Sequence, residues 1–258
     1  MPPVVPAMLP SRFLKSYWYA TRAPRYSLLF ALPLLIAYEL LALSLSYVAL
    51  AGVRNGADVL LKSLFVSFGG RDGLLVFGAL LVGTGAVLVV RDLLQGEPFE
   101  GRVFLLMAAE SIAHALAFGI IAGTLTGVLL PGLDVALPVL GAGSQETTGM
   151  GLATQLMISL GAGIYEELLF RVLLVGGLAW AGRRVGWTAV GAGLAATVAG
   201  ALIFSGFHYV GPYGDRLELS SFTFRVIAGV LFSALYLTRG FGITAWTHAL
   251  YDVFLTLG

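Results

Sequence analysis

Residues 163–174, GIYEELLFRVLL, set Glu166, Glu167 and Arg171 in a run that is otherwise almost wholly apolar. At a helix centre in lipid each charge costs about 2.5–3.5 kcal/mol, so the three together cost roughly 8–10 kcal/mol. Insertion does not require them, so they must face protein or water. At about 100° per residue, Glu167 and Arg171 lie one turn apart on one helix face and can form a self-neutralising pair. Glu166 points about 100° away and cannot easily share that arginine. It is a carboxylate without a local partner, to be protonated, paired with another segment or used in chemistry. The chain has three histidines, all in or at the ends of apolar runs. His208 follows Phe204 in FSGFH, and His248 precedes Asp252 by four residues, on one helix face at about 5–6 Å between β-carbons. His114 follows Glu110 by the same interval. An acid and two imidazoles on three segments can activate water for hydrolysis. Glu166 would be the general base, His208 would share its proton, and His248 would donate to a developing oxyanion. The same Glu166, His208 and His248 could instead bind zinc and leave a position for water. No His-Glu-x-x-His occurs, and Ser205 near His208 lacks a Gly-x-Ser-x-Gly setting. Gly214-Asp215 and Tyr251-Asp252 have the wrong order for an aspartyl pair, and Asp215 falls in a loop.

Those residues need elements to carry them. Of 258 residues, 58% are hydrophobic and 11% charged, against about 25% charged in a soluble domain. This is an integral membrane protein, and runs of this length favour helices over a barrel. The expected fold is all-α, a polytopic transmembrane helical bundle of seven to eight spans in one domain over 1–258, with the motif-bearing core at about 152–257. Spans are expected at 27–51, 74–90, 103–130, 152–180, 187–209, 222–238 and 240–257, with 57–69 as an interfacial or re-entrant eighth element. The first run, from Tyr26, is too long for a signal-peptide core and reads as a retained span. The Pro/Gly-rich segment 131–151 is a lid over a site or an ordinary loop. In the fifth span, Gly193, Thr197 and Ala201, and likewise Gly191, Ala195 and Ala199, lie four apart, a spacing that lets helices approach closely. There is no internal repeat or second domain. Without cysteine there is no disulfide, thiolate site or cysteine nucleophile. The net charge of +1 gives no sign of nucleic acid. With seven spans and an inside N-terminus, Arg12, Lys15, Arg22, Arg25, Arg91, Arg102, Arg183, Arg184 and Arg239 fall inside, and Arg54, Lys62, Arg71 and Arg216 outside. That imbalance places the N-terminus in the cytoplasm. Lack of cysteine and compact size point to a bacterial inner membrane.

Glu166-Glu167-x-x-x-Arg171, Phe204-x-x-x-His208 and His248-x-x-x-Asp252, in this order and each in a hydrophobic span, resemble the three motifs of the CAAX protease and bacteriocin-processing family of intramembrane proteases. The resemblance covers residues 163–252. It implies that Glu166 activates water with help from His208. It implies that His248 and position 252 line the site and stabilise the oxyanion, while Glu167, Arg171 and Phe204 support it. The family motif often ends in Asn where this chain has Asp252. An ionised carboxylate would repel an oxyanion, so Asp252 is either protonated or orients His248. The implied partners are the lipid bilayer and a protein or peptide substrate cut near its C-terminus, a sorting tail or peptide precursor rather than a prenylated protein. The implied route is metal-free, with zinc the alternative. Two other classes stay open: a proton-coupled transporter with a relay of Glu39, Glu110, His114 and Glu166, and an inactive membrane scaffold.

Overall fold

The computed structural model describes residues 16–46, 54–95, 99–131, 151–211 and 214–257, and among these the regular structure is all helical. The helices are α1 (Pro24–Ser46), α2 (Gly56–Gly69), α3 (Asp72–Leu93) and α4 (Arg102–Leu129). A continuous rod follows, made of α5 (Leu152–Gly161), a π-helical segment (Ala162–Val175) and α6 (Gly176–Arg184). The last three are α7 (Ala189–Phe207), α8 (Leu219–Arg239) and α9 (Phe241–Leu257). Helix is what a backbone in lipid must form, since every N–H and C=O has to be satisfied within its own segment. The connection 131–151, expected as a lid or loop, lies almost wholly outside the described residues.

α1, α3, α4, α7 and α8 are each long and apolar enough to cross a membrane. Leu75, Val82 and Val90 of α3 and Leu105 and Leu116 of α4 point outward, as lipid-facing side chains do. The rod carries the charges noted above, and α9, with 17 residues, is about 26 Å long.

Contacts between helix ends fix the direction of every element. Arg25, at the start of α1, pairs with Asp92, at the end of α3, at 3.2 Å. The Tyr26 hydroxyl accepts from the Glu100 amide at the entry to α4 (2.8 Å). Ser27 Oγ accepts from Gly242 N at the start of α9 (2.8 Å), and Arg239 Nη1, ending α8, donates to the Trp18 carbonyl (3.1 Å). All these ends lie on one face of the bundle, the basal face. Ser159 of α5 meets Thr256, near the end of α9, at 3.4 Å, so the rod runs opposite to α9. α1, α4, α7 and α9 therefore leave the basal face, and α3, the rod and α8 return to it. That makes seven traverses. Because α1 leaves the basal face and α3 ends there, α2 cannot be an eighth. Its 14 residues span only about 21 Å, against a hydrocarbon core of about 30 Å.

α9 is the central helix, packed against α1, α4, α5, the π segment and α8. Small residues allow this: Gly242, Thr244, Ala245, Thr247 and Ala249 are all buried. The small-residue pattern of α7 works in a shifted register. Its buried face is Ala192, Ala196, Thr197, Gly200 and Ala201, not Gly191, Ala195 and Ala199. Three residues before Pro33, which lies inside α1, the Phe30 carbonyl accepts from Trp246 Nε1 at 2.6 Å.

Candidate active site

The EExxxR run sits in the π segment, where the sequence spacing had implied an ordinary α-helix. The Gly176 amide reaches back five residues to the Arg171 carbonyl, which marks the wider turn. Such turns concentrate at functional sites because they re-aim side chains. Here nine residues of the segment are buried, including Glu166, Glu167 and Arg171.

Glu167 is fully buried and holds two groups. Its Oε2 lies 3.1 Å from Arg171 Nε, the ion pair expected from their spacing. Its Oε1 accepts from His248 Nδ1 at 2.7 Å, a bond between the rod and α9 that helix spacing alone does not show. Among the described residues, Arg171 finds no acceptor in good hydrogen-bond geometry. Its guanidinium instead lies 4.3 Å from the Phe204 ring centroid and 5.2 Å from that of Phe232. A desolvated cation over an aromatic face gains about 2 kcal/mol, which gives Phe204 a physical role beside its place in the motif.

Phe204 also seats His208, which follows the last residue of α7. His208 Nδ1 lies 2.9 Å from the Phe204 carbonyl oxygen, and the two rings meet edge to face. Facing a carbonyl, Nδ1 must carry the proton, so the neutral ring presents its lone pair at Nε2. That Nε2 lies 3.9 Å from Glu166 Oε2. The separation is too long for a direct hydrogen bond and is one that a single water can bridge, donating to both acceptors. Glu166 Oε2 is buried, with no hydrogen-bond partner among the described residues. Its other oxygen, Oε1, accepts from Asn55 Nδ2 at 2.8 Å.

His248 stacks on Phe232, with ring centroids 4.4 Å apart. Its Nε2 lies 3.7 Å from Asp252 Oδ2, so the expected pair shares a face without a hydrogen bond. The orienting of His248 weighed for Asp252 is done by Glu167. The structure thus brings together Glu166 with His208, Glu167 with Arg171 and His248, and His248 with Asp252, while Phe204 touches both histidines and Arg171. No three His, Asp or Glu side chains among the described residues are arranged to ligate one metal ion.

The carboxylates considered for a relay are held elsewhere. Glu39 binds Arg54 (2.8 Å), Lys62 (2.9 Å) and the Tyr165 hydroxyl (2.5 Å). Glu110 is clasped by two Arg239 nitrogens, each at 2.6 Å, and accepts from Tyr17 (2.6 Å). Burial, and then that bond to Glu110, push the Tyr17 hydroxyl well above the ordinary tyrosine range, so it remains a donor.

Asn55 was the site residue that motif reading missed. An Asn just before an apolar helix is a cap signal, and Asn55 Oδ1 does accept from the Ala57 amide at 2.9 Å. No local signal reveals that its amide reaches a glutamate 111 residues away.

Residues 148–254 match the family model described as type II CAAX prenyl endopeptidase Rce1-like. The match contains all three motifs. No curated protein and no solved structure matches the chain.

Proposed function

We propose that the protein, whose residues 148–254 match the Rce1-like CAAX endopeptidase family model, is an intramembrane endopeptidase in which Glu166 and His208 activate water. The single observation that supports this most is the 3.9 Å gap between Glu166 Oε2 and His208 Nε2, two acceptors facing each other inside a helix bundle. A water donating to both keeps its lone pairs free for a carbonyl carbon. Glu166 takes one proton as the water oxygen attacks the peptide carbonyl. That proton, shared with His208 Nε2, goes to the leaving amine as the C–N bond breaks. With a carboxylate beside each of its ring nitrogens, His248 can carry a proton on both, and its Nε2–H donates to the oxyanion. Asp252, close to Nε2 yet unbonded to it, lines the oxyanion site beside His248. Glu167 and Arg171 brace His248 and Phe204.

The whole chain is read as one membrane domain. Its substrate is a protein or peptide cut near the C-terminus, a sorting tail or precursor peptide of a membrane-associated or secreted protein. The basal face, with Arg22, Arg25, Arg91, Arg102, Arg183, Arg184 and Arg239, is read as cytoplasmic, in a bacterial inner membrane. His208, Asp252 and Asn55 lie toward the opposite face, so the site opens away from the cytoplasm.

The test compares the C-termini of membrane and exported proteins, by mass spectrometry, in cells with and without the protein, then assays the purified enzyme on the peptide found. Glu166→Gln and His208→Ala are each expected to lower kcat by about 10²–10⁴-fold, the contribution of general acid–base catalysis. Cleavage that persists in well-folded Glu166→Gln protein would sink the proposal.

A further inference from the structure

Asn55 stands at the N-terminus of α2, outside the segment that matches the family, yet it is the side chain bonded to Glu166. We propose that Asn55 is a positioning residue that fixes the Glu166 carboxylate and turns its free oxygen toward His208. This rests on the reading of Glu166 as the base.

The amide has a defined orientation. Oδ1 accepts from the Ala57 amide as the cap of α2, which leaves Nδ2 to face Glu166. The donor occupies Oε1, so only Oε2 is open to a water shared with His208. Asn55 is itself immobilised. It is 4% exposed, and its backbone N–H donates to the Tyr38 hydroxyl at 3.4 Å. Arg54, its neighbour, is held by Asp58 at 2.6 Å and Glu39 at 2.8 Å. Lys62 binds the same two carboxylates, at 2.7 and 2.9 Å. Tyr38 donates to Asp58 at 2.7 Å and Tyr165, beside Glu166, donates to Glu39. The start of α2 is thus pinned to α1 by ion pairs to Glu39 and to the π segment by the hydrogen bonds of Asn55 to Glu166 and of Tyr165 to Glu39. Gly161 makes the approach possible. A Cβ there would lie 2.6 Å from both Asn55 Cβ and the Tyr38 ring.

The cap and the donor are two functions of one side chain, and substitutions separate them. Asn55→Ser and Asn55→Asp keep a good cap acceptor and lose the amide donor. Both are expected to keep the wild-type KM while kcat per folded molecule falls about 10- to 100-fold, the range for a reacting group displaced by an ångström or less, and Asn55→Asp, which sets a second carboxyl against Glu166, is expected to be the less stable of the two. Gly161→Ala, which pushes Asn55 away without altering it, is expected to lower kcat in the same way. Glu166→Gln is assayed beside them. If Glu166→Gln still cleaves, this inference and the reading of the site both fall. If Glu166→Gln is dead while Asn55→Ser and Asn55→Asp retain wild-type kcat, change only KM, or lose activity only in proportion to folded protein, this inference alone is overturned.

Discussion

Arg171 is 1% exposed, and its charge is balanced by one carboxylate and two aromatic faces. Breaking a buried ion pair from one side leaves an uncompensated charge and costs about 3–5 kcal/mol, whereas replacing both partners by neutral groups of similar volume is far cheaper. Arg171→Met and Glu167→Gln are each expected to destabilise the protein by that amount. The double variant is expected to lose much less than their sum, as read from unfolding in detergent. Additive losses would show that the two charges are not coupled. Glu167→Gln retains an oxygen for His248 Nδ1 but loses the charge that lets both ring nitrogens carry a proton, so it and Glu167→Ala are both expected to lose kcat beyond what lower stability explains. At this scale much was legible in the sequence. The spacing of Glu167 and Arg171 announced their pairing, and the lack of a local partner for Glu166 left protonation, a distant partner or chemistry as its alternatives. The second bond of Glu167, to His248, was not legible. It joins residues 81 apart, and nothing in either helix pattern reports which carboxylate a distant ring will choose.

The elements were legible as apolar runs, and each expected segment is helical where the structure describes it, residues 47–51 of the first span lying outside the described residues. Their internal geometry was not. Nothing in AGIYEELLFRVLLV, a sequence with good α-helix formers, predicts a π-helical turn, because the wider turn is selected by what packs against it. Gly163 shows how. A Cβ there would lie 2.4 Å from the Ala245 carbonyl oxygen and 2.7 Å from Ala249 Cβ, so the π segment and α9 touch along their backbones. Gly163→Ala must part the two helices, one turn from the Glu167–His248 bond. Overpacking costs about 1–3 kcal/mol, and widening the site by an ångström can cost about 10²-fold in rate. We expect kcat to fall further than stability does, measured on protein that remains folded at the assay temperature. Gly193→Ala is the control. The four-residue spacing marked Gly193 as a packing position, yet a Cβ there meets nothing within 4 Å. Replacing a helix glycine in open space is expected to be neutral or to stabilise by up to about 1 kcal/mol. The pattern identified α7 as a close-packing helix, and only the neighbouring helices decide which of its interleaved small-residue rows they use.

At the scale of the whole molecule, the number of traverses and the charges at their ends decide which compartment the site serves. Either count of spans was open from hydropathy alone, because α2 is apolar enough to suggest a crossing. The contact between Arg25 and Asp92 removes that ambiguity by returning α3 to the face where α1 began. Seven traverses put the start of α1 and the end of α9 on opposite faces, with His208 and Asp252 toward the face that is poor in Lys and Arg. The absence of cysteine makes this directly measurable, since every introduced thiol is the only one present. Leu94 and Trp187 lie exposed at the basal face, and Leu217 and Glu218 at the other. In intact cells a membrane-impermeant maleimide is expected to label Leu217→Cys and Glu218→Cys at once, and Leu94→Cys and Trp187→Cys only after permeabilisation. The same orientation requires that a peptide substrate supplied outside sealed spheroplasts be cleaved without entering them. Labelling of the two basal positions from outside would reverse the molecule, turn the site toward the cytoplasm, and exchange exported tails for cytoplasmic ones as the substrates to seek.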